Sequence, residues 1–289
     1  MNDFQTLIDC KTLAAKITDN NVVVLDGTWF LPNSNRDAKA EFESGHIPGA
    51  RFFDIDAISD QHSPLPHMVP SADAFSRSVE SLGVSNDSQI VVYDAQGLFS
   101  AARVWWLFRI FGHQHVAVLD GGLPAWIAAG KEVTEVIADV LPGSYHADFN
   151  ANTVVDLSGM QQRVKNQNAL ILDARSAARY KGEAPEPRPE LQSGHMPGAL
   201  SLPATDLMVE GRLKPVDELR ALFKSLEVNE ASPIVTTCGS GVTAAIITLA
   251  LEHCGLGMHQ LYDGSWTEWA SAPGNPIEKN RNALTREER

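Results

Sequence analysis

Cys238 opens the run Cys238-Gly239-Ser240-Gly241-Val242-Thr243, a thiol followed by two glycines and two hydroxyl residues. Upstream, Pro233-Ile234-Val235-Thr236-Thr237 reads as a short buried strand. Downstream, residues 244–253 run through Ala, Ile, Leu and Thr without a breaker, long enough for a helix. A glycine-rich turn between strand and helix lets backbone N–H groups curl inward toward the sulfur. The N-terminus of the following helix adds positive potential at the same point. Such surroundings favour the thiolate, which is the nucleophilic form of cysteine. The competing reading is an inert cysteine buried in a turn, which has no need of a cradle.

The other two cysteines lack that setting. Cys254 follows a helix and has no glycine cradle between strand and helix, so it reads as inert; Cys10 lies near the chain end and reads as at most a surface thiol. Three cysteines are few and odd in number, which argues against a disulfide framework and for a reducing cytoplasm. The first residues, Met1 to Gln5, carry neither the basic segment nor the apolar run of an export signal. No stretch approaches the ~20 apolar residues of a membrane span. A net charge of −13 argues against general binding to nucleic acid or anionic membranes. No His/Cys/Asp/Glu cluster has metal-ligand spacing, and dinucleotide and P-loop patterns are absent, so neither metal nor organic cofactor is expected.

The elements that must position Cys238 occur twice. Ser44-Gly45-His46-Ile47-Pro48-Gly49-Ala50 returns as Ser193-Gly194-His195-Met196-Pro197-Gly198-Ala199, 149 positions later. Val22–Asp26 matches residues 169–173, and Asp120-Gly121-Gly122 with Trp126 matches Asp263-Gly264-Ser265 with Trp269. The strand at 90–94 matches 234–238, so the counterpart of Cys238 is Asp94. Four landmarks in one order imply two copies of one domain, divided as 1–142 and 143–289 where Pro142-Gly143-Ser144 interrupts the pattern. Within the first copy, 22–26, 90–94 and 116–119 read as strands, with helical stretches at 38–43, 72–82 and 100–111. That alternation predicts an α/β fold, each copy a mostly parallel sheet flanked by helices, with ligands gathering at the carboxyl ends of the strands. One half then carries the reactive group and the other supports it as a wall of the cleft. His46 and His195 recur in both copies and therefore read as fold-organising. Trp105, Trp106, Phe108 and Phe111 fall at helical spacing and read as packing, and Trp126, Trp266 and Trp269 repeat with the fold.

The paired His-Ile/Met-Pro-Gly-Ala motifs, the Asp-Gly-Gly/Ser…Trp motifs and the six-residue cysteine loop resemble the tandem rhodanese-type sulfurtransferases. The resemblance spans about residues 13 to 269, and the loop text is that of the 3-mercaptopyruvate sulfurtransferase subgroup. Thiosulfate-preferring relatives carry a basic pair where this chain has Gly239 and Ser240. The resemblance implies transfer of a sulfane sulfur from a small-molecule donor onto Cys238 as a persulfide, then to cyanide or a thiol acceptor such as thioredoxin. A large, soft persulfide anion suits a ring of N–H groups from Gly239, Ser240, Gly241, Val242 and Thr243. Arg179, just after a predicted strand, and Arg188, in the stiff Pro185-Glu186-Pro187-Arg188-Pro189 run, match arginines that contact substrate in the subgroup. Planar guanidinium groups would clamp a 2-oxo acid. Ser240 could relay protons, and Asp56 and His67 match residues that form a relay with that serine. Nothing in the spacing shows that these three meet.

Three other readings compete. A thiosulfate-preferring sulfurtransferase differs only in donor. A cysteine phosphatase needs a longer loop closed by an arginine, whereas this loop ends in Val242-Thr243. A non-enzymatic persulfide carrier would load sulfur without turning it over.

Overall fold

The computed structural model describes residues 6–228 and 233–279. It divides into two compact units, one running to residue 151 and including 210–213, the other formed by 152–209 with 214 onward. Met1 to Gln5, on which the expectation about an export signal falls, lie outside the described residues.

The first unit runs β1 (Leu7–Ile8), α1 (Cys10–Lys16), β2 (Val22–Asp26), α2 (Ala38–Ser44), β3 (Arg51–Phe52), α3 (Ile55–Ile58), α4 (Ala72–Ser81), β4 (Gln89–Tyr93), α5 (Ala101–Ile110), β5 (Val116–Leu119) and α6 (Gly122–Ala128). The second runs β6 (Val154–Val155), α7 (Leu157–Asn166), β7 (Leu170–Asp173), α8 (Ala177–Lys181), β8 (Leu200–Ser201), β9 (Met208–Val209), α9 (Val216–Ser225), β11 (Ile234–Thr237), α10 (Ala244–His253), β12 (Gln260–Tyr262) and α11 (Ser265–Ser271), with β10 (Arg212–Leu213) in the segment grouped with the first unit.

Each unit is built on a five-stranded sheet, ordered β1-β5-β4-β2-β3 in one and β6-β12-β11-β7-β8 in the other. The strand pairings within both sheets are parallel. Parallel strands need both faces covered, and the Val- and Ile-rich runs of β2, β4, β5 and β11 are accordingly almost wholly buried. Leu13, Val24, Ile47, Val91 and Trp126 form a core on one face of the first sheet; Met160, Ile171, Tyr180, Val235 and Trp266 form the equivalent core in the second. The middle strand of each sheet, β4 or β11, therefore ends at Asp94 or Cys238.

Among the described residues six helices start on a side chain that accepts a backbone N–H of the first turn: Asp9, Asp37, Asp54, Ser71, Asp156 and Ser176. The helices that follow the two central strands do not. Ser100 before α5 and Thr243 before α10 make no such bond. Trp105, Trp106, Phe108 and Phe111 are buried on and just past α5, as their spacing predicts. His46 and His195 are buried and bond backbone carbonyls through Nδ1, to Phe42 at 2.7 Å and Tyr180 at 2.8 Å. Both histidines hold turns.

Two expectations differ from the structure. Residues 143–151 pack with the first unit, so its edge falls after Ala151 rather than after 142. The Tyr145 N–H donates to Glu80 Oε1 at 2.9 Å, and the Asp148 and Asn150 N–H groups donate to the Phe111 and Ile110 carbonyls at 3.0 and 2.8 Å. The Tyr145 ring also meets Phe75 and Phe108 edge-on. Cys10 is buried rather than at the surface, because α1 turns it toward the core beside Leu13. Burial pushes both the Cys10 and Cys254 thiols up, away from reactivity. Among the described residues no helix is long and apolar enough to cross a membrane.

Candidate active site

Cys238 leaves the end of β11 with its backbone tied on both sides. Its N–H donates to Ser265 Oγ at 3.2 Å, and its carbonyl accepts the Trp266 N–H at 2.9 Å. The Gly239 carbonyl accepts both the N–H and the hydroxyl of Thr267, at 2.9 and 2.7 Å. The Asp263-to-Trp269 motif thus serves as the mount for the cysteine loop. Ser265 itself sits at φ +49°, and its hydroxyl donates to the Tyr262 carbonyl at 2.8 Å. The loop then passes through Gly241 at φ +80°, a left-handed conformation that glycine adopts without penalty. Cys238 and Ser240 are both buried.

Arg179 lies against this loop. A methyl group added to Gly239 would sit 3.1 Å from Arg179 Nη2. The guanidinium is not open, however, because Nε and Nη2 both donate to Glu186 Oε2, the former at 3.1 Å. The other oxygen of Glu186 accepts Arg175 Nη1 at 2.9 Å. Arg175 in turn chelates Asp173 at the end of β7 through Nε and Nη2, the latter at 2.6 Å, and stacks over Trp266 at 4.1 Å. Arg188 is half-buried, and among the described residues its guanidinium has neither hydrogen-bond nor ion-pair partner.

In the first unit, His67 and Asp56 are brought together. His67 Nε2 is 2.9 Å from Asp56 Oδ1, although the ring is buried and the carboxylate largely exposed. Trp29 fixes the pair, its Nε1 donating to Asp56 Oδ2 at 3.1 Å while its ring meets the imidazole edge-on. Arg103 donates to the His67 carbonyl at 2.5 Å, where the histidine backbone adopts φ +61°. A non-glycine residue held there is over-determined by its surroundings. Asp94, at the position equivalent to Cys238, is completely buried. Its Oδ2 accepts the N–H groups of Phe99, Ser100 and Ala101 at 2.7, 2.9 and 2.9 Å, and its Oδ1 accepts that of Gln96 at 2.8 Å.

Sequence reasoning missed three residues. Glu186 was visible only as a spacer among prolines, although an acid lying seven and eleven positions after two arginines was a usable signal. Ser265 and Thr267 were hidden inside a motif whose tryptophans drew the packing interpretation.

The chain matches the Rhodanese-like domain family over residues 9–129 and again over 156–272. It is 43% identical to the 3-mercaptopyruvate sulfurtransferase of Escherichia coli K12 across 92% of this chain and 95% of that protein. It is 42% identical to the human 3-mercaptopyruvate sulfurtransferase across 85% and 84% of the two chains. Among solved structures, SseA from Escherichia coli, described as a 3-mercaptopyruvate sulfotransferase, superposes with a TM-score of 0.83 at 41% identity, over 91% of this chain and 99% of that one. The Tum1 protein of Saccharomyces cerevisiae gives a TM-score of 0.87 at 34% identity, over 96% and 99%. With both halves matched and relatives this similar along nearly their whole length, the chain belongs to the rhodanese family as a tandem two-domain member.

Proposed function

We propose that this protein is a 3-mercaptopyruvate sulfurtransferase. The observation that carries the reading is the second-unit loop, with Cys238 at the carboxyl end of the central strand and Arg179 beside its neighbour; Arg188, without a charged partner among the described residues, is assigned to the donor with them. The Cys238 thiolate attacks the donor sulfur. The carbon–sulfur bond breaks, its electron pair leaves on carbon as the enolate of pyruvate, and Cys238 becomes a persulfide. The enolate gains a proton while the donor thiol gives one up, and Ser240 handles that exchange. Arg188 and Arg179 hold the donor's carboxylate and keto oxygen. The N–H groups of Gly239 to Thr243 stabilise the persulfide. The Asp94 turn supports that assignment, because there a loop following the equivalent strand turns three successive N–H groups onto one anionic oxygen. An acceptor thiolate, such as that of thioredoxin in a reducing cytoplasm, or cyanide, then takes the outer sulfur, giving ping-pong kinetics.

Mass spectrometry of Cys238 after brief exposure to 3-mercaptopyruvate tests the reading. One added sulfur with stoichiometric pyruvate is expected. An unmodified cysteine, or a much larger kcat/KM for thiosulfate, would overturn it. Arg188→Ala should raise the donor KM at least about tenfold with a smaller fall in kcat, as loss of a carboxylate's charged partner implies.

A further inference from the structure

Four charged side chains of the second unit form one connected system, Asp173, Arg175, Arg179 and Glu186, and Arg188 follows Glu186 two residues on in the chain. Asp173 and Arg175 neutralise each other inside the protein, both side chains essentially inaccessible. Glu186, also inaccessible, divides its two oxygens between Arg175 and Arg179. A carboxylate buried this deeply persists only with such partners. Two acids and two arginines sum to zero, which leaves Arg188, two residues beyond Glu186 in the chain, as the one uncompensated charge of the five. Glu186 thereby does two things. It pins the Arg179 guanidinium against Gly239, and it cancels that guanidinium's charge.

We propose that Glu186 is a positioning residue that sets donor specificity by charge, holding the summed charge of these five side chains to +1 and so favouring monoanionic sulfur donors. This rests on the sulfurtransferase reading above and names the class of donor it selects. A 2-oxo acid carrying a neutral thiol brings one negative charge, which Arg188 matches while Arg179 offers its remaining donor edge to neutral oxygen. Thiosulfate brings two, and Glu186 leaves the second without a partner. Glu186 and Arg188 are separated by Pro187 alone, so a proline-bounded segment keeps the cancelling and the uncancelled charge on one rigid piece of chain.

The test measures kcat/KM for 3-mercaptopyruvate and for thiosulfate in the full-length wild type, Glu186→Gln, Arg179→Gln and the double variant. Glutamine keeps the shape of glutamate and removes its charge, leaving an acceptor oxygen for one arginine and turning its NH2 toward the other. Glu186→Gln should raise the thiosulfate-to-mercaptopyruvate ratio at least about tenfold, the scale of one unit charge at contact in a partly screened site. Arg179→Gln should lower the ratio by a similar factor, and the double variant, with the net charge restored, should return to within about threefold of wild type. A residue that merely props the loop would lower both donors together and leave the ratio unmoved. If Glu186→Gln does not fold, the Arg179→Gln arm stands alone, and an unchanged ratio there overturns the proposal. A wild type that turns over 3-mercaptopyruvate while Glu186→Gln keeps its ratio overturns the charge assignment only. A wild type yielding no pyruvate overturns the functional reading and this assignment with it.

Discussion

Asp94 and Cys238 end the middle strands of two sheets with the same strand order, yet their side chains meet opposite demands. Asp94 carries its own negative charge into the turn that follows, where four backbone N–H groups close on it. It substitutes for the side-chain cap that Ser100 does not supply to α5. The turn in the first unit is therefore complete as folded. In the second unit the same strand end is given to a sulfur, which can form and break bonds, and the turn is shorter. Gly97 and Ser100 are separated by two residues, whereas Gly241 and Thr243 are separated by one. The loop is held instead from outside, by Ser265, Trp266 and Thr267. On the proposed reading, a duplicated fold keeps an anion-binding turn in both copies, with the anion built in at Asp94 and delivered by the reaction at Cys238.

Exchange at these two positions offers the strongest way to break that equivalence. Cys238→Ser should reduce turnover by at least about three orders of magnitude, since a hydroxyl is far less ionised than a thiol at neutral pH. Cys238→Asp should be equally inactive but should melt above Cys238→Ser, because a carboxylate accepting N–H bonds contributes about 1.5–3 kcal/mol per strong contact. Thermal unfolding followed by circular dichroism decides this, and an aspartate variant less stable than the serine variant would show that the second loop is no anion cradle. Conversely, Asp94→Ala strips the acceptor from four N–H groups in a fully buried turn. It should cost the protein about 3–4 kcal/mol, measured by urea unfolding, with the desolvation cost of orphaned donors as the cause. A loss below about 1 kcal/mol would mean that water or a neighbouring group replaces the carboxylate at little cost.

The same contrast shows which parts of the molecule could be read from the chain. The duplication, the central strands and the cysteine loop were legible because each is local: an apolar run, a glycine pair, a motif repeated in order. The Asp56–His67 contact was reachable only through family resemblance. It depends on Trp29 and Arg103, both distant in sequence and carrying no mark of that role. Glu186 was opaque for a related reason: in the sequence it stands only as part of the stiff proline run that carries Arg188, and only the fold reveals two arginines converging on it. Where the unit edge falls within residues 141–153 was not legible, because the ties of 143–151 run from backbone N–H groups to side chains and carbonyls of the first unit, and these leave no compositional trace.

A second matched pair sharpens the comparison through pH. Asp26 and Asp173 end β2 and β7, but Thr28 stands where the second unit has Arg175. With no guanidinium to pair with, the buried Asp26 carboxyl is pushed up to about 6 by desolvation, against the opposing hydrogen bonds of Thr28 and Tyr93. Below about pH 3 the carboxyl is protonated in both the folded and unfolded chain and contributes no pH dependence. Between about pH 4 and 6 the unfolded chain has released this proton while the folded chain still holds it, so stability falls as pH rises. Above that window both states are ionised and the loss stays constant. Asp26→Asn removes the dependence. Its stability relative to wild type should climb by about 3 kcal/mol between about pH 3 and pH 7, at ~1.36 kcal/mol for each tenfold change in proton affinity. A difference that stays flat over that range would place the Asp26 titration elsewhere.

The smallest effect tests whether the two turns share one backbone shape. Gly97 and Gly241 sit three residues beyond Asp94 and Cys238, both with positive φ, +100° and +80°. Alanine at either position meets the left-handed penalty of about 1–2 kcal/mol. At Gly97 an added methyl also lies 2.9 Å from the backbone of Gly211, so that variant adds a steric term. Gly241→Ala should therefore lose about 1–2 kcal/mol in urea unfolding, with Gly97→Ala losing more, since overpacking typically adds about 1–3 kcal/mol. A neutral Gly241→Ala would mean that the cysteine loop reaches its shape without a left-handed residue. The Asp94 turn would then no longer serve as its template, even with Cys238 chemistry intact.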